Sequence, residues 1–470
     1  MNNLEQYTHV YFIGIGGIGM SALAQWCRSQ GMQVAGYDRN ASAITRMLEE
    51  KGIFVTYEEG CEHIPLDFTR SDKVLVVYTP AVSQEHPQLC YFRENGFEVI
   101  KRAALLGLIS RTHRLIAVAG THGKTTTTAM IAHILQQAGV PVTAFVGGIM
   151  RNYRNNLLLS SSPEAWIVAE ADEYDRSFLH LHPTIAVVTN IEADHLDIYG
   201  SEAAIFDSFE AFLGNIQSGG MLIAHEEVRA VSPASLHTWR YGKHPGCSYS
   251  IKELRYENEQ LCFTLMVAKE NSYALRLQVP GLHNALNATA AFAVAHRIGI
   301  APSCIIDALA SFQGVKRRSE VWYRSAHYVL VDDYAHHPTE IESTLQAMRR
   351  LYPQRQLVAV FQPHLYTRTR DFAAAFGKAL GLADRVLLTP IYPAREAPIE
   401  GVDSALIARH CPVPTLIAPT ADAIETSLEQ LLRSAAPPLT VVVMGAGNIE
   451  QHLPIFLNLL KTLEHEQTQA

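Results

Sequence analysis

Residues 115–130 read Leu115-Ile-Ala-Val-Ala-Gly120-Thr121-His122-Gly123-Lys124-Thr125-Thr126-Thr-Thr-Ala-Met130, and the way this stretch folds decides the architecture around it. Its first five residues are apolar or small, the pattern of a parallel strand buried on both faces. A glycine-bearing turn follows, then a helix beginning near Lys124. That order is the anatomy of a phosphate cradle. Glycines 120 and 123 let backbone N–H groups approach an anion, the helix N-terminus adds partial positive charge, and Lys124 supplies a mobile cation. The hydroxyl of Thr125 then falls where a magnesium ion would sit. Four threonines in succession are mediocre helix formers, so helix propensity does not explain them. The loop is the short form Gly-x-x-Gly-Lys-Thr, with Val118 where the common P-loop carries its first glycine.

At 470 residues the chain exceeds a single core and suggests about three domains. With 48% hydrophobic and 18% charged residues it has the composition of an ordinary globular protein. A net charge of -8 argues against nucleic acid as the main partner. No apolar run approaches the roughly 18 residues of a membrane span. The start, Met1-Asn-Asn-Leu-Glu-Gln6, lacks the basic-then-apolar pattern of a secretion signal, so a cytoplasmic protein with no membrane partner is expected. The seven cysteines, at 27, 61, 90, 247, 262, 304 and 411, contain no Cys-x-x-Cys pair. They predict neither a disulfide framework nor a zinc knuckle and read as buried thiols.

Toward the N-terminus a strand over 9–14 runs into Gly14-Ile15-Gly16-Gly17-Ile18-Gly19 and a helix to about Gln30; a second strand over 33–37 ends at Asp38. This is a β-loop-α-β unit with a dinucleotide-type glycine fingerprint and an acid where a ribose hydroxyl would be read. The pattern does not choose between NAD, FAD and another diphosphate. Two cradles in one chain are more informative, because a dehydrogenase needs only the first and a simple ATPase only the second. Two strand signals between the second cradle and the C-terminal third end in acids. Residues 165–169 lead to Glu170-Ala-Asp172-Glu173, and residues 184–190 to Ile-Glu192-Ala-Asp194-His195-Leu-Asp197. Open parallel sheets bind ligands at the carboxyl ends of their strands, which puts these groups beside the phosphates as candidate Mg²⁺ ligands. For any single acid, an exposed loop position or an N-cap is the alternative. From 314 to 462, apolar strands at 328–332, 357–361, 386–389 and 440–444 alternate with helical stretches, predicting another mostly parallel sheet. The expected fold is α/β in three domains: a Rossmann-like domain over 1–110, a central P-loop ATPase-type domain with a mostly parallel sheet over 111–313, and a C-terminal Rossmann-like domain over 314–470.

Seven motifs in this order resemble those of the Mur ligases across nearly the whole chain: Gly14-Ile-Gly-Gly-Ile-Gly-Met-Ser-Ala-Leu-Ala24, Gly120-Thr-His-Gly-Lys-Thr125, Glu170-Ala-Asp-Glu173, Thr189-Asn-Ile-Glu-Ala-Asp-His195, Gly281-Leu-His283-Asn284-Ala-Leu-Asn287, Asp332-Asp-Tyr334-Ala-His336-His-Pro-Thr-Glu340 and Phe361-Gln-Pro-His364. The resemblance implies a UDP-sugar domain, an ATPase domain and an amino-acid domain. It is nearest to the branch that joins L-alanine to UDP-N-acetylmuramate at the expense of ATP in peptidoglycan synthesis, with the tripeptide-adding branch of cell-wall recycling as the alternative. It further implies that residues 14–19 and Asp38 hold the UDP-sugar, and that residues 120–126 hold ATP, with His283, Asn284 and Asn287 near the adenine. Helix capping by one asparagine is the competing explanation there. Mg²⁺ (or Mn²⁺) is implied on Thr125 and Glu170, with a second ion on His195. Lys124, Glu170, His195 and Arg318 form the implied catalytic set, and Tyr334, His336 and Arg368 the amino-acid site, in a monomer or homodimer. Some relatives carry a carbamoylated lysine soon after the Asp-His pair; here no lysine occurs between His195 and Lys243. The chain departs from the family pattern at Ser319, where Phe is usual, and at Leu365, where many members have Arg.

Overall fold

The computed structural model describes residues 4–70, 73–192, 199–229, 236–268, 271–394 and 396–469. They form two compact units. The first comprises Met1–Lys252, Leu265–Tyr273 and Leu286–Ala310, and the second Glu253–Thr264, Ala274–Ala285 and Ser311–Ala470.

The first unit opens with five parallel strands, β1 (His9–Ile13), β2 (Gln33–Tyr37), β3 (Phe54–Thr56), β4 (Val74–Tyr78) and β5 (Glu98–Lys101), in the order β3-β2-β1-β4-β5. Both faces are covered: Val10 and Phe12 enter one apolar cluster while Tyr11 and Ile13 enter another. This is why the strand is apolar without alternation. The helix Ile18–Ser29 follows β1 and buries Leu23, Trp26 and Cys27. The helix Ala43–Glu50 starts with a capping box, in which Ser42 Oγ accepts from Thr45 N and Thr45 Oγ1 accepts from Ser42 N.

The central sheet follows, built from β6 (Leu115–Ala119), β7 (Val142–Met150), β8 (Asn155–Leu158), β9 (Trp166–Ala171), β10 (Ile185–Val188), β11 (Met221–His225) and β12 (His237–Gly242). Within a ten-stranded sheet these seven run in the order β12-β11-β10-β6-β9-β7-β8, parallel throughout except for β7 against β8, and the sheet continues beyond β12. The chain leaves β6 toward β7 and returns on either side of β6 as β9 and β10. The turn after β6 therefore opens at a topological switch point, where open α/β sheets leave a crevice. Three further strands, β13 (Tyr249–Glu257), β14 (Gln260–Val267) and β15 (Asn271–Leu277), precede the helix Leu282–Arg297.

The second unit carries β16 (Glu320–Arg324), β17 (Tyr328–Asp333), β18 (Gln356–Phe361), β19 (Arg385–Leu388), β20 (Thr415–Ile417) and β21 (Leu439–Met444) in the order β16-β17-β21-β18-β19-β20. Only β16 is antiparallel to its neighbour among the described pairs. Val329 and Val331 face one apolar cluster and Tyr328 and Leu330 the other, so this sheet too is buried on both sides.

One expectation from the sequence is corrected. Of the seven cysteines only Cys27, Cys247 and Cys262 are buried, while Cys304 is exposed. It lies in the first turn of the helix Pro302–Ser311, a position that the apolar face of that helix does not use. No described helix is long and apolar enough to cross a membrane.

Candidate functional site

The Gly120–Lys124 turn is fixed by the end of β10. Thr121 N donates to Asn190 O at 3.3 Å, His122 N to Asn190 Oδ1 at 2.8 Å, and Thr189 Oγ1 to His122 O at 2.6 Å. Gly123 then adopts φ +82° and starts the helix Lys124–Gln137, a conformation glycine takes without steric cost. Lys124 folds back over the turn. Its Nζ donates to Gly120 O at 2.7 Å and Thr121 O at 3.2 Å, and lies 2.7 and 3.0 Å from the two carboxylate oxygens of Glu173. Beside it, Thr125 Oγ1 donates to Glu170 Oε2 at 3.1 Å, and Gly147 N donates to Glu170 Oε1. Register explains the neighbourhood, since β9 runs parallel to β6 with Val118 opposite Glu170, which delivers that carboxylate to the mouth of the turn.

The electrostatics suit an anion and a cation together. Burial disfavours the Lys124 ammonium, but the carboxylates of Glu173, Asp172 and Glu170 outweigh it and hold the group above its ordinary range. Burial likewise raises the Glu173 carboxyl, with the Lys124 charge and hydrogen bond pulling it back down. Burial pushes the Glu170 carboxyl up, against the pull of the Gly147 N–H, Lys124 and Thr125. A divalent cation would relieve that penalty, and a carboxylate next to a hydroxyl is the hard-oxygen donor set Mg²⁺ prefers. The residues fit the ion. His195 lies outside the described residues, so the pairing of Thr125 with Glu170 is the part of the expected metal set that the structure brings together.

The first cradle has the same logic. Gly14 has φ +86°, and a Cβ there would lie 2.5 Å from Thr79 Cγ2. Asp38 Oδ2 accepts from Gly16 N at 2.7 Å and Oδ1 from Asn40 N at 3.2 Å. The acid expected at the ribose thus also braces the glycine loop itself. Ile15 is fully buried, which leaves only its backbone for a ligand.

The three residues expected near the adenine lie in the first two turns of the helix Leu282–Arg297, within which the boundary between the two units falls. Asn287 belongs to the first unit, where a Cβ on Gly123 would come within 2.7 Å of its Oδ1. His283 and Asn284 belong to the second. Asn284 Nδ2 donates to Pro280 O at 2.6 Å. Burial, reinforced by the charge of Arg318, pushes the His283 imidazole down to about 4, so the ring is neutral.

In the second unit, the guanidinium carbons of Arg317 and Arg318 each lie 5.0 Å from the Tyr334 ring centroid. Tyr334 meets His336 edge to face at 5.3 Å, and His364 stacks on Tyr392 at 5.7 Å. Burial, then the charges of His336 and Arg368, push the His364 imidazole down to about 4. Tyr334 and His336 follow the C-terminal end of β17, and His364 and Arg368 that of β18, Arg368 in the first turn of the helix Tyr366–Leu380.

Matches to known proteins cover the chain in three pieces: residues 9–114 match the Mur ligase family catalytic domain, 118–295 the Mur ligase middle domain and 317–447 the Mur ligase glutamate ligase domain. The UDP-N-acetylmuramate--L-alanine ligase of Cytophaga hutchinsonii is 43% identical over 455 residues, 96% of each chain. That of Christiangramia forsetii is 42% identical over 469 residues, 99% of this chain and 100% of the relative. The chain belongs to the Mur ligase family. Among solved structures, the UDP-N-acetylmuramate-alanine ligase of Thermotoga maritima superposes with TM-score 0.78 at 27% identity, over 98% of this chain and 100% of that one. A murein peptide ligase of Psychrobacter arcticus gives 0.69 at 26%, over 96% and 98%. The fold is accordingly the three-domain α/β fold of the Mur ligases, a family of ATP-dependent ligases.

Both departures from the Mur ligase pattern acquire a local reason or cost. Ser319, at φ +50°, gives its N–H and hydroxyl to Asp333 Oδ2 at 2.7 and 3.0 Å. The hydroxyl thus satisfies a buried carboxylate that a phenylalanine side chain would not. Leu365 sits at φ 72°, ψ 138° ahead of the helix Tyr366–Leu380, strained backbone for any residue with a Cβ. Asp332, missed in the sequence as anything but a motif position, is 1% exposed, and neither carboxylate oxygen has a hydrogen-bond partner. Its nearest cation is Arg317, whose Nε lies 3.8 Å away. Burial pushes its carboxyl up to about 7, with Arg317 pulling the other way. Its folded-state pKa thus exceeds the unfolded one near 3.9. The stabilising contribution of the protonated form is complete below about pH 4 and lost as pH rises through 7. The melting temperature of Asp332→Asn relative to the parent should therefore climb between pH 5 and 8, the gap growing by about 1 kcal/mol or more. A difference that stays flat over that range would contradict this account of Asp332.

Proposed function

We propose that the protein ligates L-alanine to the carboxylate of UDP-N-acetylmuramate, using ATP, in peptidoglycan precursor synthesis. The observation that carries this reading is the cradle at the β6 switch point, with Lys124, Thr125 and Glu170 converging on it, in a chain whose near-full-length relatives at 42–43% identity are named for that reaction.

A carboxylate is a poor electrophile, so joining it to an amine requires activation. Transfer of the γ-phosphoryl group of ATP to the carboxylate oxygen gives an acyl phosphate and ADP. The amine of alanine then attacks the acyl carbon, forming the amide and expelling inorganic phosphate. The protein's share is positioning and charge neutralisation. Lys124 neutralises the migrating phosphoryl, and the amides of residues 120–126 receive the phosphates. Thr125 and Glu170 would hold Mg²⁺ (Mn²⁺ would serve), which would supply charge neutralisation for the phosphoryl transfer, with His195 proposed for a second ion. Arg318 is assigned to the transferring phosphoryl group, and neutral His283 with Asn284 and Asn287 to the adenine. Residues 14–19 and Asp38 are assigned to the UDP-sugar. Tyr334, His336 and Arg368 take the amino acid, with the Arg368 fork on its carboxylate. Domain limits at 1–110, 111–313 and 314–470 and a cytoplasmic location, where UDP-sugars and ATP coexist, complete the proposal.

Phosphate release measured with UDP-N-acetylmuramate, L-alanine, ATP and Mg²⁺ should require all four. Release that ignores the sugar nucleotide would overturn the assignment, and release only with a tripeptide in place of alanine would favour the recycling branch.

A further inference from the structure

We propose that Arg102 is a substrate-binding residue: its guanidinium receives the diphosphate of the sugar nucleotide at the N-terminus of the helix Ile18–Ser29, and Asp172 holds it in readiness. This deepens the function proposed above and rests on it. Residues 14–27 contain no lysine or arginine, while the helix end supplies only about half a unit of positive charge against a diphosphate. The missing cation comes from a distant part of the sequence. A Cβ built on Gly19 would lie 2.3 Å from Arg102 Nη1, so the guanidinium rests directly against the backbone of that helix's first turn. Glycine at 19 is what admits it.

Three features separate Arg102 from an ordinary surface arginine. It is the first residue of the helix Arg102–Arg111, immediately after Lys101 at the N-cap. Cations there oppose the helix dipole, so helix stability does not account for them. Lys101 is committed, with its Nζ 2.5 Å from Asp175 Oδ2. Arg102 is held loosely, its Nη2 3.5 Å from Asp172 Oδ2 and its side chain 31% exposed. A planar fork held by one long ion pair keeps donors for two phosphate oxygens at once, the geometry guanidinium matches best. Asp172 stands two residues from Glu170, and an arriving anion would replace it on the guanidinium.

The test compares ligands that differ by one phosphate. The full chain and its Arg102→Ala, Arg102→Lys and Asp172→Asn variants are titrated calorimetrically, without ATP, with UMP, UDP and UDP-N-acetylmuramate. Arg102→Ala should lose at least tenfold in affinity for UDP and UDP-N-acetylmuramate while UMP changes less than threefold, collapsing the preference for UDP over UMP. Arg102→Lys should recover part of it, and Asp172→Asn should tighten UDP binding several-fold. UMP binding is the internal check that each variant is folded. A UDP-to-UMP ratio in Arg102→Ala equal to that of the parent, or equal losses for both nucleotides, would overturn the role of Arg102 alone. A parent protein that binds none of the three would overturn the UDP-sugar assignment of residues 14–19, and this inference with it.

Discussion

Lys124→Ala should lower ATP-dependent phosphate release by at least about a thousandfold, the scale on which cations at a transferring phosphoryl group act, while UDP-N-acetylmuramate still binds within a few-fold of the parent. The two effects separate because Lys124 serves the turn after β6 whereas the sugar-nucleotide residues proposed above follow β1, in a different sheet. A second consequence comes from Glu173, which is 4% exposed and holds its carboxylate against burial through Lys124. Removing one partner of a buried pair strands the other, which costs about 3 kcal/mol. Burial already raises the Glu173 carboxyl in the folded state, and loss of the ammonium raises it further, so the stability deficit of the variant should shrink as pH falls and the group takes up a proton. The double variant Lys124→Ala/Glu173→Gln should regain most of the lost melting temperature and none of the activity. A double variant that remained as unstable as the single one would show that Lys124 holds the fold through its bonds to Gly120 O and Thr121 O instead.

That partner also marks where sequence reading stops. The strand, turn and helix around Gly120 follow from residue type, because five buried residues, two glycines and a helix start leave few other arrangements. Which acid of Glu170-Ala-Asp172-Glu173 meets Lys124 does not follow. Glu170 is set by strand register opposite Val118, but Glu173 lies beyond the strand, where the backbone turns through left-handed Asp175 and Arg176 at φ +51° and +55°. No local pattern forecasts such a turn in non-glycine residues. The strands over 249–277 escaped for a related reason. Asn258 and Glu259 both have positive φ, at 49° and 62°, so β13 and β14 are joined by a turn of the kind Asn-Gly usually signals, with glutamate in the glycine position. Likewise, i, i+3 and i+4 spacing places His283, Asn284 and Asn287 on one helix face, yet whether each side chain is bonded to the backbone or left for a ligand depends on Pro280 and Gly123, which the spacing does not contain.

Gly120→Ala should be the most damaging single-methyl change in the cradle. Gly120 has φ +134°, and an added Cβ would lie 2.1 Å from Thr189 Oγ1 and 3.0 Å from both the N and the O of Asn190. Two of those atoms are backbone, and Thr189 is itself pinned to His122 O at 2.6 Å, so nothing can yield without moving the turn. Strain and overpacking together cost about 3–5 kcal/mol. Gly123→Ala meets a milder obstacle, since the atom at 2.7 Å is the tip of the Asn287 side chain, and about 1–2 kcal/mol is expected from the φ of +82° and a shifted amide. Gly139, just past the far end of the same helix, has φ +70° with nothing within 4 Å of a Cβ, so Gly139→Ala carries backbone strain alone. Melting temperatures should therefore fall in the order 139, 123, 120, and turnover should fall only for the latter two, by more than about a hundredfold at 120, because displaced loop amides no longer meet the phosphates. If Gly120→Ala melted with Gly139→Ala and kept its turnover, the close approach of β10 to this turn would not be what shapes the phosphate site.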